Sequence, residues 1–209
     1  MQFKMTKKSL YSIAFCSFAV LVVIAWIVSG GWTMSADKFI QGKIFQIYNQ
    51  TFGWAMEIVS LVISPAVLFA TSLVSSLILF NRGKRKSSLV FVIGVGCSSL
   101  LSYLLKDIFA RTRPIASLTS AIGYSFPSGH ATTSAAFFLL MIYFFKNRFK
   151  SKFFRALFII LNVFFFALVG FSRIYLNMHW TSDVIGGFSL GLLWASIVIL
   201  VSVIHFRGA

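Results

Sequence analysis

Two of the three histidines, His130 and His179, lie in polar gaps between long apolar runs of this 209-residue chain. An imidazole can attack a substrate as a nucleophile, or it can carry a proton as a general acid or base. Asp183 follows His179 by four residues, a spacing that places both side chains on one helical face. A carboxylate on one ring nitrogen fixes the tautomer and leaves the other nitrogen free to attack. The alternative is a capping aspartate beside an interfacial histidine.

Basic residues crowd into the same gaps with few acids to balance them. The cations are Lys106, Arg111, Arg113 and Arg173, and the nearby acids are Asp107 and Asp183. This excess favours an anionic ligand such as phosphate, although a solvated loop touching lipid headgroups would look the same. Lys106 and Arg113 are seven residues apart, so two turns of one helix would point both at one ligand. Arg111 is expected to be solvated or to touch a headgroup.

The segment from Phe126 to His130 has the features of a helix start. Ser128 is a good N-cap, and the free N–H groups of a first helical turn bind oxyanions. Gly129 allows the backbone to approach a ligand closely. His130 is therefore predicted in the first turn, beside whatever anion binds there.

Composition places these residues in a membrane protein. The chain is 58% hydrophobic and 11% charged, whereas a soluble domain is about 25% charged. Because a spanning helix needs about 20 apolar residues, we predict an all-α bundle of six transmembrane helices. It forms a single domain, 1–209, with a motif-bearing core at about 87–206. The charge-free runs are Ser9–Gly30, Ile58–Asn81, Ser87–Leu105, Ala131–Phe145, Ala156–Ser172 and Val184–Phe206. Pro65 should kink the second run, and Gly31–Glu57 is expected to be an interfacial strip with a short amphipathic helix.

The net charge of +15 would suggest nucleic acid in a soluble protein, but its distribution argues against that partner. If the N-terminus is inside, thirteen of the 19 basic residues fall on the inner side, in short clusters that flank the apolar runs. That bias predicts a multi-pass protein of the cell membrane with both termini cytoplasmic. Both histidines and their neighbouring cations then face outward.

Three segments together resemble the signature motifs of the type 2 phosphatidic acid phosphatase superfamily. They are Lys106-x6-Arg113-Pro114, Pro127-Ser128-Gly129-His130 and Ser172-Arg173-x5-His179-x3-Asp183, and they match in order and spacing.

The resemblance implies catalytic and phosphate-binding roles for these residues. His179 would attack phosphorus to form a phosphohistidine, oriented by Asp183, and His130 would protonate the leaving oxygen. Lys106, Arg113, Ser128, Gly129 and Arg173 would hold the phosphoryl oxygens. Neither metal nor other cofactor is implied, and the chain offers no carboxylate cluster to hold a metal.

The expected substrate is a membrane lipid phosphate or diphosphate within the bilayer. Undecaprenyl diphosphate is the first choice, with phosphatidylglycerol phosphate and phosphatidic acid as alternatives, because the motifs recognise the phosphate and not the lipid tail. Two other classes are a haloperoxidase, which the membrane runs disfavour, and a non-catalytic anion or lipid transporter, which would not need the histidines. No pattern indicates an oligomeric state.

Overall fold

The computed structural model describes residues 5–114 and 123–205, and within those ranges it is helical without a β-strand. The helices are α1 Lys7–Ser29, α2 Met34–Gln46, α3 Gln50–Val62, α4 Pro65–Asn81, α5 Arg85–Phe109, α6 Gly129–Phe145, α7 Lys152–Tyr175 and α8 Thr181–His205. A 3-10 turn, Lys146–Arg148, follows α6. The all-α prediction is confirmed.

Within the described ranges, four helices, α1, α5, α7 and α8, are long and apolar enough to cross a membrane. The pair α3 and α4 makes a fifth crossing if the two helices are counted as one span. Many large apolar side chains point outward, among them Phe15, Val74, Phe153 and Ile160, as expected where lipid replaces water as the solvent. The protein is thus a multi-pass membrane protein, while the six spans and the cytoplasmic termini stay predictions.

The second apolar run is two helices, and not the single kinked helix that the sequence predicts. α3 ends at Val62, and α4 begins at Pro65 at an angle of 43° to it. Ser64 has extended backbone, and its hydroxyl accepts the N–H of Val67 at 3.4 Å. Proline disfavours a helical conformation in the residue before it and is well suited to the first helical position. The chain therefore stops and restarts at this point.

The predicted interfacial strip, Gly31–Glu57, contains all of α2 and the first part of α3. The short helix expected there is α2. Asn49 caps α3 by accepting the N–H of Phe52 at 3.1 Å. α2 packs on α7 and α8, and α3 packs on α7, so both reach the ends of the helices that carry the third motif.

α8 packs closely against α6. A Cβ atom on Gly187 would lie 2.6 Å from the carbonyl oxygen of Ser128, and one on Gly191 would lie 2.1 Å from that of Thr132. Only glycine permits this approach of two backbones. At the top of the contact, the N–H of Ser128 donates to the carbonyl of Asp183 at 3.0 Å. The starts of α6 and α8 are thereby joined directly through the main chain.

Candidate active site

Lys106 and Arg113 meet at the backbone of the segment that leads into α6. Lys106 Nζ donates to the carbonyl of Tyr124 at 2.7 Å, and Arg113 NH2 donates to the same oxygen at 3.3 Å. Arg113 also donates through Nε to Gly123 O at 2.9 Å and through NH1 to Met178 O at 2.7 Å. The two cations are held side by side, as the motif requires.

The two cations converge by a different route from the predicted one, because α5 ends before it reaches Arg113. Its last residue is Phe109, and Ala110 then adopts a left-handed conformation with φ of 44°. The prediction that both side chains project from one helix is therefore wrong. Arg113 instead lies on a non-helical segment held by Ser125, whose N–H donates to Arg111 O at 2.8 Å.

The start of α6 presents His130 and a buried hydroxyl. Ser128 is the N-cap, as predicted, but its side chain makes no capping hydrogen bond. Its Oγ is buried and has no hydrogen-bond partner among the described residues. His130 lies in the first turn of α6, next to the backbone of Ser60 on α3. A buried hydroxyl without a partner is costly, and an anion oxygen could satisfy it.

Arg173 projects from the last turn of α7 and is almost fully buried. Its NH1 donates to the hydroxyl of Ser60, while its Nε has no hydrogen-bond partner among the described residues. Ser60 stands in an apolar run, and no motif or spacing singles it out in the sequence. Its role in holding Arg173 is visible only once α3 is packed against α7.

His179 lies in the segment between α7 and α8, which turns at Asn177 with φ of 54°. The residue is 2% exposed. Its Nδ1 is 3.5 Å from Asp183 Oδ2, an ion-pair distance slightly beyond a normal hydrogen bond. Its Nε2 is 3.3 Å from Arg113 NH1. The carboxylate thus faces one ring nitrogen, and the cationic cluster faces the other.

The prediction that His179 and Asp183 share one helical face is wrong in its geometry. α8 begins at Thr181, so His179 precedes the helix and Asp183 lies in its first turn. Asp183 Oδ2 accepts the N–H of Trp180 at 2.9 Å, which satisfies a free donor at the helix start. The capping interpretation and the pairing with His179 therefore both describe the same carboxylate.

Arg111 is buried between two carboxylates, contrary to the expectation that it is solvated or touches a headgroup. Its NH1 lies 2.5 Å from Asp183 Oδ1, and its NH2 lies 2.7 Å from Asp37 Oδ2 on α2. Only 9% of Arg111 and 2% of Asp37 are exposed. A buried guanidinium needs anionic partners, and the two carboxylates supply them for Arg111. The lone acid of α2 carried no sequence signal of this contact.

The electrostatics of the site favour a neutral His179. Burial lowers the pKa of His179 to about 4, although the Asp183 carboxylate acts in the opposite direction, and Lys106 and Arg113 add to the lowering. Burial also lowers the pKa of Arg113, which nevertheless remains a cation near neutral pH. The imidazole therefore has a free lone pair at physiological pH, as a nucleophile requires.

An apolar cleft of about 600 Å³ opens beside His130 and Arg173. Its walls come largely from α3, with Trp54, Ile58 and Leu61, and from Leu176 beyond the end of α7. The lining is mostly apolar but includes Arg173, His130 and the acid Glu57, which matches an amphiphile with a polar head. Among the described residues, no three His, Cys, Asp or Glu side chains come together as a metal site would require.

Comparison with known proteins identifies relatives of this chain. The model of the PAP2 superfamily matches residues 85–207. Phosphatidylglycerophosphatase B of Bacillus subtilis (strain 168) is 31% identical over 179 residues, which are 84% of this chain and 88% of that protein. An undecaprenyl-diphosphatase of Sulfolobus acidocaldarius is 32% identical over 128 residues, which are 56% of each.

A solved structure agrees with the fold along most of the chain. It is the crystal structure of the first transmembrane PAP2 type phosphatidylglycerolphosphate phosphatase from Bacillus subtilis, with a TM-score of 0.82 and 26% identity. The match covers 94% of this chain and 98% of that one. These relatives confirm the prediction of a phosphoric ester hydrolase in the membrane. The chain therefore belongs to the PAP2, or type 2 phosphatidic acid phosphatase, superfamily.

Proposed function

We propose that the protein hydrolyses a terminal lipid phosphate without a metal, through a phosphohistidine formed on His179. One observation carries the proposal: His130 and Arg173 line the apolar cleft, and two buried polar atoms of the same motifs lack partners among the described residues. These atoms are Ser128 Oγ and Arg173 Nε. Phosphate oxygens at this point would accept their hydrogen bonds while the lipid tail occupied the cleft.

In the first step, Nε2 of His179 attacks phosphorus. The bond from phosphorus to the lipid oxygen breaks, and His130 gives that oxygen its proton. Because His130 lines the cleft, the proton donor lies on the side where a lipid leaving group would be. Asp183 near Nδ1 stabilises the charge that the His179 ring gains when its other nitrogen is phosphorylated.

In the second step, water attacks the phosphohistidine. His130, now neutral, accepts the proton of the attacking water, and the bond from phosphorus to Nε2 breaks. Inorganic phosphate leaves, and the free imidazole is restored. Lys106, Arg113, Arg173, Ser128 and the N–H of Gly129 stabilise the charge on the equatorial oxygens in both steps.

The proposed substrate is phosphatidylglycerol phosphate. The Bacillus subtilis relative named for that activity aligns over 84% of this chain, whereas the undecaprenyl-diphosphatase aligns over 56%. That difference in coverage moves undecaprenyl diphosphate, the first choice from sequence, to second place, ahead of phosphatidic acid. We further propose six crossings in a single domain, 1–209, with both termini cytoplasmic and the site outward. The distribution of the 19 basic residues supports this topology.

A substrate panel tests the proposal. Purified protein in detergent would be offered phosphatidylglycerol phosphate, undecaprenyl diphosphate and phosphatidic acid at equal surface concentration, and phosphate release would be measured. We expect the largest kcat/KM for phosphatidylglycerol phosphate. A larger value for either other lipid would overturn the substrate assignment, and release from none would overturn the activity.

Trapping the intermediate tests the mechanism. A phosphohistidine is labile in acid. The labelled protein would therefore be quenched in alkali and digested, and the phosphorylated peptide would be identified. His179→Ala should abolish labelling and reduce turnover at least about a thousandfold. His205→Ala, the remaining histidine of the chain, is the matched control and should behave as wild type. Turnover by His179→Ala above roughly a tenth of wild type would exclude a nucleophilic His179.

A further inference from the structure

We propose that Arg111 is a positioning residue, which fixes the carboxylate of Asp183 against His179 and ties it to Asp37 on helix α2. The inference rests on the proposed function of His179 as nucleophile. It assigns a task to two residues outside the three motifs, and it makes the interfacial helix α2 part of the catalytic apparatus.

The first step of the argument is that both oxygens of Asp183 are engaged. Oδ2 accepts the N–H of Trp180 at 2.9 Å and faces His179 Nδ1 at 3.5 Å. Oδ1 accepts from Arg111 NH1 at 2.5 Å. A carboxylate held at both oxygens cannot rotate about its Cβ–Cγ bond without breaking a contact. Arg111 therefore fixes which oxygen the imidazole meets.

The second step concerns the other edge of the guanidinium. Arg111 NH2 donates to Asp37 Oδ2 at 2.7 Å and to Thr33 Oγ1 at 3.0 Å. Asp37 in turn accepts the N–H of Ser182 at 3.0 Å, through Oδ1. Ser182 lies in the first turn of α8, so Asp37 caps that helix from α2. One guanidinium thus joins α2 to the start of α8.

The third step is that α2 holds the nucleophile segment at both ends. Gln41, one turn after Asp37, donates to the carbonyl of Ile174 at 3.2 Å and to the side chain of Asn177. These residues precede His179, whereas Ser182 and Asp183 follow it. The four residues between Asn177 and Ser182 are consequently bracketed by a single helix.

The arrangement has an electrostatic consequence with a definite sign. Arg111 neutralises part of the charge of Asp183 that would otherwise favour protonation of His179. Removing the guanidinium leaves that charge uncompensated, so the pKa of His179 should rise. Removing the carboxylate of Asp37 leaves Arg111 paired with Asp183 alone, so the pKa of His179 should fall further. The two substitutions are therefore expected to act in opposite directions.

Several other charged groups surround His179, and none is changed by these substitutions. They are Lys106 from α5, Arg113 from the segment after α5, His130 from α6 and Asp183 from α8, while Arg173 from α7 acts on His130. Differences between variants on one substrate therefore report the contacts of Arg111 with its two carboxylates. The ionisation of the substrate phosphate also cancels in such a comparison.

The experiment measures kcat/KM against pH for the full-length wild type, Arg111→Gln and Asp37→Asn, each preincubated at the test pH and re-assayed at pH 7 to correct for inactivation. The low-pH side of the kcat/KM profile, its acidic limb, reports the protonation of His179. We expect this limb to move to higher pH by about one unit in Arg111→Gln, and to lower pH in Asp37→Asn. We also expect kcat at the plateau to fall about tenfold to a hundredfold in Arg111→Gln, as for other residues that orient a reacting group.

Arg111→Lys separates charge from geometry. An ammonium keeps the positive charge but cannot present two parallel edges to two carboxylates. Its acidic limb should therefore stay near that of wild type, while kcat falls and KM changes little. If Arg111→Gln alone does not fold, because it leaves two buried carboxylates unpaired, the double variant Asp37→Asn/Arg111→Gln is used. Its limb should still lie above that of wild type.

Lys43→Gln is the matched control. Lys43 is an exposed residue of α2, the helix that carries Asp37, and the change also removes one charge. Its profile should equal that of wild type. Equal limbs in all variants, or shifts of the same sign in Arg111→Gln and Asp37→Asn, would overturn the inference. Full turnover by His179→Ala would instead overturn the proposed nucleophile. Failure of the inference about Arg111 and failure of the proposed function are therefore distinguishable.

Discussion

At the scale of single residues, the two nitrogens of His179 have different surroundings. Nδ1 faces a carboxylate that is also tied to a backbone N–H and a guanidinium, while Nε2 faces Arg113. A proton held on Nδ1 leaves the lone pair on Nε2, on the side of the cations. A nucleophilic Nε2, as proposed, would therefore lie beside the cation Arg113, where a bound anion is stabilised.

A pH profile of the wild-type enzyme follows from this burial. The pKa of His179 is lowered to about 4, so the imidazole is neutral above that pH and protonated below it. Because the nucleophile is the neutral form, kcat/KM should be insensitive to the ionisation of His179 between about pH 5 and pH 8. It should fall tenfold per unit below its pKa. A plateau lost already near pH 6.5, with a substrate whose own ionisation is accounted for, would contradict a buried neutral imidazole.

At the scale of secondary structure, the site is assembled at helix ends. The starts of α6 and α8 supply His130 and Asp183, and the end of α7 supplies Arg173. The close approach of α8 to α6 at Gly187 and Gly191 sets the distance between the first two. At Gly191 the contact involves Thr132 and Ala135 and no charged residue, so it can be disturbed there without replacing a group of the proposed site.

Gly191→Ala tests that role. The added Cβ would lie 2.1 Å from Thr132 O, so α8 must move away from α6. We expect a loss of about 1–3 kcal/mol of stability, seen as a lower Tm in detergent, together with reduced kcat. Gly42→Ala on α2 is the control, since nothing lies within 4 Å of its added Cβ and alanine favours a helix. An unchanged Tm and kcat in Gly191→Ala would mean that the spacing of these helices is not critical.

The same elements show what the sequence could and could not predict. Periodicity, capping and charge predict the all-α fold, the start of α6 at Gly129 and the convergence of the three motifs. The break between Val62 and Pro65, and the non-helical path from Ala110 to Arg113, depend on where a helix stops, which propensity determines poorly. Partners such as Asp37 and Ser60 could not be predicted, because contacts across 74 and 113 residues leave no local pattern in one sequence.

At the scale of the whole molecule, acidic residues are few. The four acids are Asp37, Glu57, Asp107 and Asp183. Two of them, Asp37 and Asp183, flank Arg111, and Glu57 lines the apolar cleft. The cations that would bind phosphate are therefore left in excess at the site, and the proposed charge stabilisation uses protein groups alone.

Activity is accordingly expected to persist in a chelator. Assays with excess EDTA, after dialysis against it, should give the same kcat and KM as untreated enzyme, since Lys106, Arg113 and Arg173 supply the positive charge. A magnesium-dependent phosphatase assayed in parallel would verify that the chelator is effective. Loss of turnover that is restored by added Mg²⁺ would show that the proposed metal-independent mechanism is wrong.

The reaction and the lipid preference are two properties that enzymes often couple. The main-chain hydrogen bond from Ser128 to Asp183 belongs to the part of the chain that would carry the reaction. It joins the helices that carry His130, the proposed acid, and Asp183, the partner of the proposed nucleophile, within residues 85–207, the part matched by the family model. The wall of the cleft that would contact the lipid, from Trp54 to Ser64, lies outside that part. Substrate preference can therefore diverge among relatives through α3 while the reaction stays the same. Exchanging the cleft-lining residues of α3 between two relatives, with Ser60 kept because it holds Arg173, should transfer lipid preference and leave kcat for a short-chain phosphate unaltered.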